Sequence, residues 1–191
     1  LFRSQVDARD GRVHTTFHQT GAATGRLSSS DPTLQNIPTR TELGKRIRRA
    51  FVPGGRDQVL LCADYSQIEL RILAHLSGDA GLREAFASDR DIHTATAARV
   101  FGLPEADVDP SLRNRAKMVN YGLAYGMNAF GLASRLDIAP EEAQEIMDAY
   151  FASFPTIAEY LERQVARAAA EGFTETILGR RRYIPELQAS N

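Results

Sequence analysis

The 191-residue sequence has no tryptophan, one cysteine, and only two lysines among its 23 basic residues. A lone thiol, Cys62, excludes an internal disulfide framework, and the apolar run 59–63 around it predicts a buried thiol in a reducing compartment. No apolar run approaches the roughly 18 residues of a membrane span, and no signal peptide is visible at the N-terminus. The chain opens on Leu-Phe-Arg without an initiator methionine, which reads as a piece of something longer. Neither sign of charge dominates: 23 basic residues face 24 acidic ones, for a net charge of −1. That balance alone argues neither for nor against a polyanionic partner. Its distribution says more, because residues 1–50 hold nine Arg or Lys and four Asp or Glu, a local excess of +5.

What is present is a globular composition, 43% hydrophobic and 25% charged, long enough for one large domain or two small ones. The stretch 113–127, RNRAKMVNYGLAYGM, organises it. Arg113, Lys117, Tyr121 and Tyr125 recur every fourth residue, so on a helix each stands about 40° round from the last. The four share one face, cations first and phenols after, while Met118, Val119, Leu123 and Ala124 form an apolar side. Asp109 and Pro110 predict the helix start and Gly126 its end. Such a stripe suits a ligand with phosphates and a base; it also suits a solvated basic face beside core tyrosines. Lys117 departs from the chain's habit of using arginine, and an ammonium, unlike a guanidinium, can give up its proton.

Elsewhere the pattern predicts a half-buried strand over 12–19, with His14 and His18 on one face but without a third metal ligand nearby. The Gly/Ser/Pro-rich stretch 20–38 carries Arg26, Gln35 and Asn36, either as a flexible surface loop or as donors for phosphates and base edges. RIRRAFVP, 46–53, predicts a basic edge strand, and residues 59–63 a fully apolar strand. From Ile68 the period becomes helical and ends near Gly78. Asp64 sits at that switch, as a helix N-cap or as a cation-holding carboxylate projecting from a rigid strand end. Two short helices follow, capped by Asp91 and Gly102 in the second case; His93, in its first turn, reads as a polar surface residue or an anion contact. Two longer helices begin at Pro140 and Pro155, and a hairpin turns at Gly179 beside Arg180, Arg181 and Arg182.

Four of these stretches together carry a resemblance. DYSQIELR at 64–71 resembles motif A of the family A DNA polymerases, and RNRAKMVNYGLAYG at 113–126 resembles motif B. TGRLSSSDPTLQNIP at 24–38 and DIHTATA at 91–97 match in the family's order, closest to its bacterial polymerase I branch. The resemblance implies an α+β fold: part of a palm built on an antiparallel sheet, with a mainly helical fingers insertion. Its divisions would be palm over 1–78, fingers over 79–172 with the motif B helix at about 110–126, and a hairpin from 173 to 191 returning toward the palm. It implies template-directed DNA synthesis, in replication and repair, by nucleotidyl transfer from a dNTP to a primer 3′-hydroxyl.

The residue roles come with the resemblance. Asp64 and the Tyr65 carbonyl would hold two Mg2+ ions, and Asp64 and Lys117 would be catalytic, Lys117 as a proton donor to pyrophosphate. Glu69 would sit under the sugar and exclude a 2′-hydroxyl. His93, Arg113 and Lys117 would grip the triphosphate, Tyr121 would pack on the incoming base and sugar, and Tyr125 would pair with Glu69. Arg26, Gln35, Asn36 and Arg40 would touch primer-template DNA. The expected partners are that DNA and a dNTP, with no membrane, for a cytoplasmic monomer.

One departure matters. Family members carry a later motif C, whose His-Asp-Glu supplies the second metal-binding carboxylate, and it is not found within these 191 residues. One carboxylate and a carbonyl are few ligands for two hard dications, so the 191 residues alone are expected not to extend a primer. A noncatalytic primer-template or nucleotide-binding module is the alternative. A metal-dependent phosphohydrolase would need a second carboxylate cluster that the sequence does not offer.

Overall fold

The computed structural model describes residues 5–39 and 41–188. It is α+β, mainly helical with two small antiparallel ribbons, and it divides into two compact units with the boundary between Asp64 and Tyr65.

In the first unit, β1 (Thr16–His18) pairs antiparallel with β2 (Ser28–Ser30) in the register Thr16↔Ser30, Phe17↔Ser29, His18↔Ser28. The alternation over 12–19 therefore yields a strand, but only three residues of one, and all three are exposed rather than half-buried. Its partner β2 lies in the Ser-rich stretch where no strand was expected. The helix α1 (Glu42–Arg48) corrects the edge strand expected over 46–53. Thr41 caps it, its hydroxyl accepting from the Gly44 amide, and Glu42 at the start and Lys45, Arg46 and Arg48 at the end complement the helix dipole. Those end effects outweigh the β-like pattern of Ile47 and Phe51. Only glycine fits at position 44, because a Cβ there would fall 2.0 Å from the Pro38 carbonyl oxygen.

Residues 59–63 form no strand, and Val59 and Leu61 are 88% and 90% exposed. A strand that is apolar on both faces needs ladder partners and two covering layers. Among the described residues no strand pairs with it, so Cys62 is exposed, not buried as the sequence suggested.

The second unit is a helical stack: α2 (Ile68–Ser77), α3 (Ala80–Ala87), α4 (Ile92–Phe101), α5 (Pro110–Ala124), α6 (Ala129–Leu136), α7 (Pro140–Ser153) and α8 (Pro155–Glu171). β3 (Phe173–Glu175) and β4 (Arg181–Tyr183) close it as a hairpin with Gly179 at φ +82°. The boundaries follow cap chemistry. Asp79, Asp91, Asp109 and Asn128 each accept from the amide three residues on, prolines open α5, α7 and α8, and Gly78, Gly102 and Gly172 end α2, α4 and α8 in the left-handed region.

Leu70, Leu82, Ile92, Val119, Leu123, Leu132, Tyr150 and Ile157 form the core, drawn from every one of these helices. Burying a side chain such as Leu123 contributes about 1.5–3 kcal/mol. Within the second unit α2 packs on α3, α5 and α8. α5 packs on α2, α4 and α6, which places its exposed stripe on a framework held from three directions. Among the described residues no helix is long and apolar enough to cross a membrane.

Candidate functional site

The stripe on α5 is built as its spacing predicts. Val119 and Leu123 point into the core, leaving Arg113 and Tyr121 half-buried and Lys117 and Tyr125 exposed. At its N-terminal end Arg113 makes a two-pronged contact with Asp91: Nε donates to Oδ1 at 3.0 Å and Nη2 to Oδ2 at 2.6 Å. Asp91 also caps α4 through the Thr94 amide and hydroxyl. Partial burial raises the Asp91 carboxyl, but Arg113 and the two Thr94 donors outweigh this and hold it down at about 2. The same fork raises Arg113 further and fixes its planar head.

His93 corrects the surface reading: it is 2% exposed. The reason is tertiary, since α4 packs along α5 and turns this position into their seam. Asn120, fully buried on α5, brings its amide nitrogen to 3.2 Å from His93 Nδ1 and 3.1 Å from Thr96 Oγ1, and Thr96 donates to the Ile92 carbonyl at 2.8 Å. Burial pushes the imidazole down to about 4; Asp91 acts upward on it, Arg113 and Lys117 downward. It is therefore neutral at pH 7. The Tyr121 ring stands 5.8 Å away, tilted by 49°.

At the other end of the stripe, Tyr125 is the C-cap residue of α5, and its hydroxyl donates to Glu69 Oε1 at 3.4 Å. Glu69 lies in the first turn of α2, which opens on Gln67 held in the left-handed region at φ 50°. Such a backbone in a non-glycine residue costs of order 1 kcal/mol and sits here within the DYSQIELR stretch. Arg71 steadies the turn, donating from Nε to the Ser66 carbonyl at 3.0 Å while its guanidinium lies 4.5 Å over the Phe86 ring. The second unit thus brings Glu69, His93, Arg113, Lys117, Tyr121 and Tyr125 onto connected elements. Asp91, Thr96 and Asn120 complete them; the signal for Asn120 was a polar residue on an otherwise apolar face.

The remaining candidates lie apart in chain terms. Asp64 ends the first unit and Tyr65 begins the second; both are exposed, and Asp64 does not cap α2, whose N-cap is Gln67. Arg26, Gln35 and Asn36 are exposed in the first unit, where Gln35 Nε2 donates to the Leu27 carbonyl at 3.3 Å. Arg40 lies outside the described residues. His14 finds neighbours that the pairing with His18 overlooked: its Nε2 is 2.8 Å from Asp10 Oδ2, and Asp7 joins them within 4.8 Å. Arg9 occupies the Asp7 carboxylate and the Arg12 amide holds Asp10, so the turn's own donors account for that cluster. Arg181 of the basic triplet is paired with Glu175 at 2.6 Å.

The chain is similar to known proteins along nearly its whole length. The chain is 58% identical over 187 residues to DNA polymerase I of Mycobacterium tuberculosis, covering 98% of this chain and 21% of the relative. It is 57% identical over 188 residues to DNA polymerase I of Pseudomonas aeruginosa (98% and 20%), and 53% over 184 to the thermostable DNA polymerase I of Thermus aquaticus (96% and 22%). A solved structure described as the POL domain of Pol1 from M. smegmatis, in complex with DNA primer-template and dNTP, superposes with a TM-score of 0.90 at 56% identity, over 98% of this chain and 33% of that one. The chain spans about a fifth of the length of these polymerase I relatives. The family model described as DNA polymerase family A matches residues 2–191, and the chain belongs to that family.

Proposed function

We propose that these residues form the nucleotide-gripping part of a template-directed DNA polymerase, which transfers a nucleotidyl unit from a dNTP to a primer 3′-hydroxyl in the bacterial cytoplasm. The observation that carries the reading is the α5 stripe: a fixed guanidinium and an ammonium at one end, two phenols at the other, and a neutral imidazole alongside. Similarity to a protein solved with primer-template and dNTP supports the choice of ligand.

In this reading Arg113, Lys117 and His93 hold the triphosphate. Arg113 is oriented by Asp91 before the ligand arrives, which lowers the ordering cost of binding. Lys117 is exposed, and its ammonium can give a proton to the departing pyrophosphate. Tyr121 stacks on base and sugar, Glu69 occupies the space a 2′-hydroxyl would need, and Tyr125 pairs with Glu69. Arg26, Gln35, Asn36 and Arg40 contact the primer-template, and residues 1–78 and 79–172 serve as palm and fingers.

The donor set bears on the metal. The Asp64 carboxylate and Tyr65 carbonyl are oxygen ligands of the kind Mg2+ takes, and both residues are exposed, but two ligands do not fill two octahedral shells. They would hold part of a two-ion site, whose chemistry is to activate the 3′-hydroxyl and stabilise the leaving pyrophosphate. The 191 residues alone are accordingly inactive in this reading.

Primer extension by the full-length polymerase containing these residues tests it. Asp64→Asn is expected to abolish extension while leaving primer-template binding intact. Extension at the unmodified rate would sink the assignment, and binding without extension by the unmodified enzyme would favour a noncatalytic module.

A further inference from the structure

We infer that Asn120 is a positioning residue for nucleotide binding: its buried amide selects the His93 tautomer that carries the proton on Nε2. The inference rests on the proposed role of His93 as a triphosphate contact. Its own basis is the buried hydrogen-bond network that joins Asn120 to His93 and Thr96.

Thr96 has one hydroxyl proton, and the Ile92 carbonyl at 2.8 Å takes it. Thr96 Oγ1 lies 3.1 Å from Asn120 Nδ2, from which it accepts, and 3.2 Å from Asn120 Oδ1. The same amide nitrogen stands 3.2 Å from His93 Nδ1, and its second proton is directed there. A nitrogen that accepts cannot also carry a proton in neutral imidazole, so the proton resides on Nε2. Thr96 and Asn120 are fully buried and His93 nearly so, where an unpaired polar group is expensive. The result is a neutral donor aimed by its neighbours. Neutrality spares the seam a third positive charge beside Arg113 and Lys117, while Nε2–H still donates to a phosphate oxygen. The opposite tautomer would offer that oxygen a lone pair.

The network predicts an effect of Asn120→Asp that a packing role does not. A carboxylate of the same size has no proton for Nδ1 at neutral pH, so Nδ1 must carry one. At low pH the His93–carboxylate pair holds an extra proton and Nε2–H persists. As pH rises the pair loses it and Nε2 becomes a bare acceptor. The charges acting on the ring are Asp91 on α4 and Arg113 and Lys117 on α5, with the Tyr121 phenol beside it; all four remain in the variant.

The measurement is KM for dNTP in full-length polymerase between pH 6 and pH 9, with primer-template affinity as the control for folding. Relative to unmodified enzyme, Asn120→Asp should show KM rising with pH by about tenfold, the scale of one hydrogen bond to a charged group. A pH-independent change, or none, overturns the inference. His93→Ala separates the two layers: if it leaves KM unchanged, the proposed triphosphate contact fails, whereas a raised KM alongside a flat Asn120→Asp profile defeats the tautomer alone. In 15N-histidine spectra of the unmodified enzyme, with His93 assigned by its loss in His93→Ala, the Nε2–H form is expected. The Nδ1–H form would overturn the inference even if Asn120→Asp does not fold.

Discussion

The Tyr125 hydroxyl reaches Glu69 Oε1 across 3.4 Å, tying the end of α5 to the first turn of α2. A hydrogen bond of that length is weak, while the bulk of the carboxylate is present whether or not the bond forms. Two variants of the full-length polymerase should therefore differ. Glu69→Ala, which empties the space, should cut discrimination between dNTP and the matching rNTP, as a ratio of kcat/KM, by about tenfold or more, or roughly 1.4 kcal/mol. Tyr125→Phe should cost no more than about 1 kcal/mol, roughly fivefold. An unchanged ratio in Glu69→Ala would remove Glu69 from sugar selection.

The Asp91–Arg113 fork predicts a pH dependence. The Asp91 carboxyl lies at about 2, below its unfolded value near 4. A depressed carboxyl adds stability that is present above the unfolded value and lost as pH falls through the folded one. The pair is partly solvated, so its worth is about 1 kcal/mol at most. Asn caps helices as well as Asp, so Asp91→Asn isolates the charge. Hydrogen exchange at the Thr94 amide should quicken by up to about fivefold at pH 7, and the difference should shrink toward pH 2. Equal protection at pH 7 would mean that the fork adds nothing.

Local chemistry explains what was legible. Asp79, Asp91 and Asp109 cap their helices through amides three residues away, so those starts could be read from neighbouring letters alone. The α5 stripe is likewise a property of one helix. Residues 46–53 failed because the Thr41 cap begins a helix before the β-like pattern starts. Residues 59–63 failed because a strand is defined by partners distant in sequence, and none pairs with it among the described residues. His93 was misread as exposed and Asn120 overlooked for one shared reason: each is explained by the other, 27 residues away. The helix α6 was missed since its eight residues, with Gly131 inside, give little periodicity to detect.

Tyr150 predicts a stability effect with no catalytic content. Its side chain is fully buried against Phe151 and Phe154, and among the described residues its hydroxyl has no hydrogen-bond partner. Tyr150→Phe removes that unpaired hydroxyl and should be neutral or stabilising by about 1 kcal/mol. Burial, and then the Asp79 charge, push the phenol's ionisation upward, so the fold favours the protonated form. That preference contributes fully below pH 10 and is lost as pH climbs beyond it, so the Phe form should gain on the unmodified protein above pH 10. Thermal midpoints at pH 8 and pH 10.5 measure both. A loss exceeding 1 kcal/mol at pH 8 would show that a bound water satisfies the hydroxyl.

In the proposed nucleotide site, Tyr121 would bear on the choice between deoxy- and dideoxynucleotides. Its ring is half-buried, 5.8 Å from the ring of His93, and it shares the helix face of Arg113 and Lys117. A dNTP has a 3′-hydroxyl that can hydrogen-bond to its own phosphates; a ddNTP lacks it. A phenol hydroxyl there can restore the missing bond, while phenylalanine cannot. A hydrogen bond to a charged phosphate is worth about 1.5–3 kcal/mol, so Tyr121→Phe should reduce dideoxy incorporation by roughly 10- to 100-fold and leave dNTP incorporation nearly unchanged. The ratio of kcat/KM for ddNTP and dNTP on one primer-template reads this directly. Equal dideoxy use by the two forms would show that the hydroxyl makes no such bond. An equal loss for both nucleotides would instead mean that it serves the position of the ring.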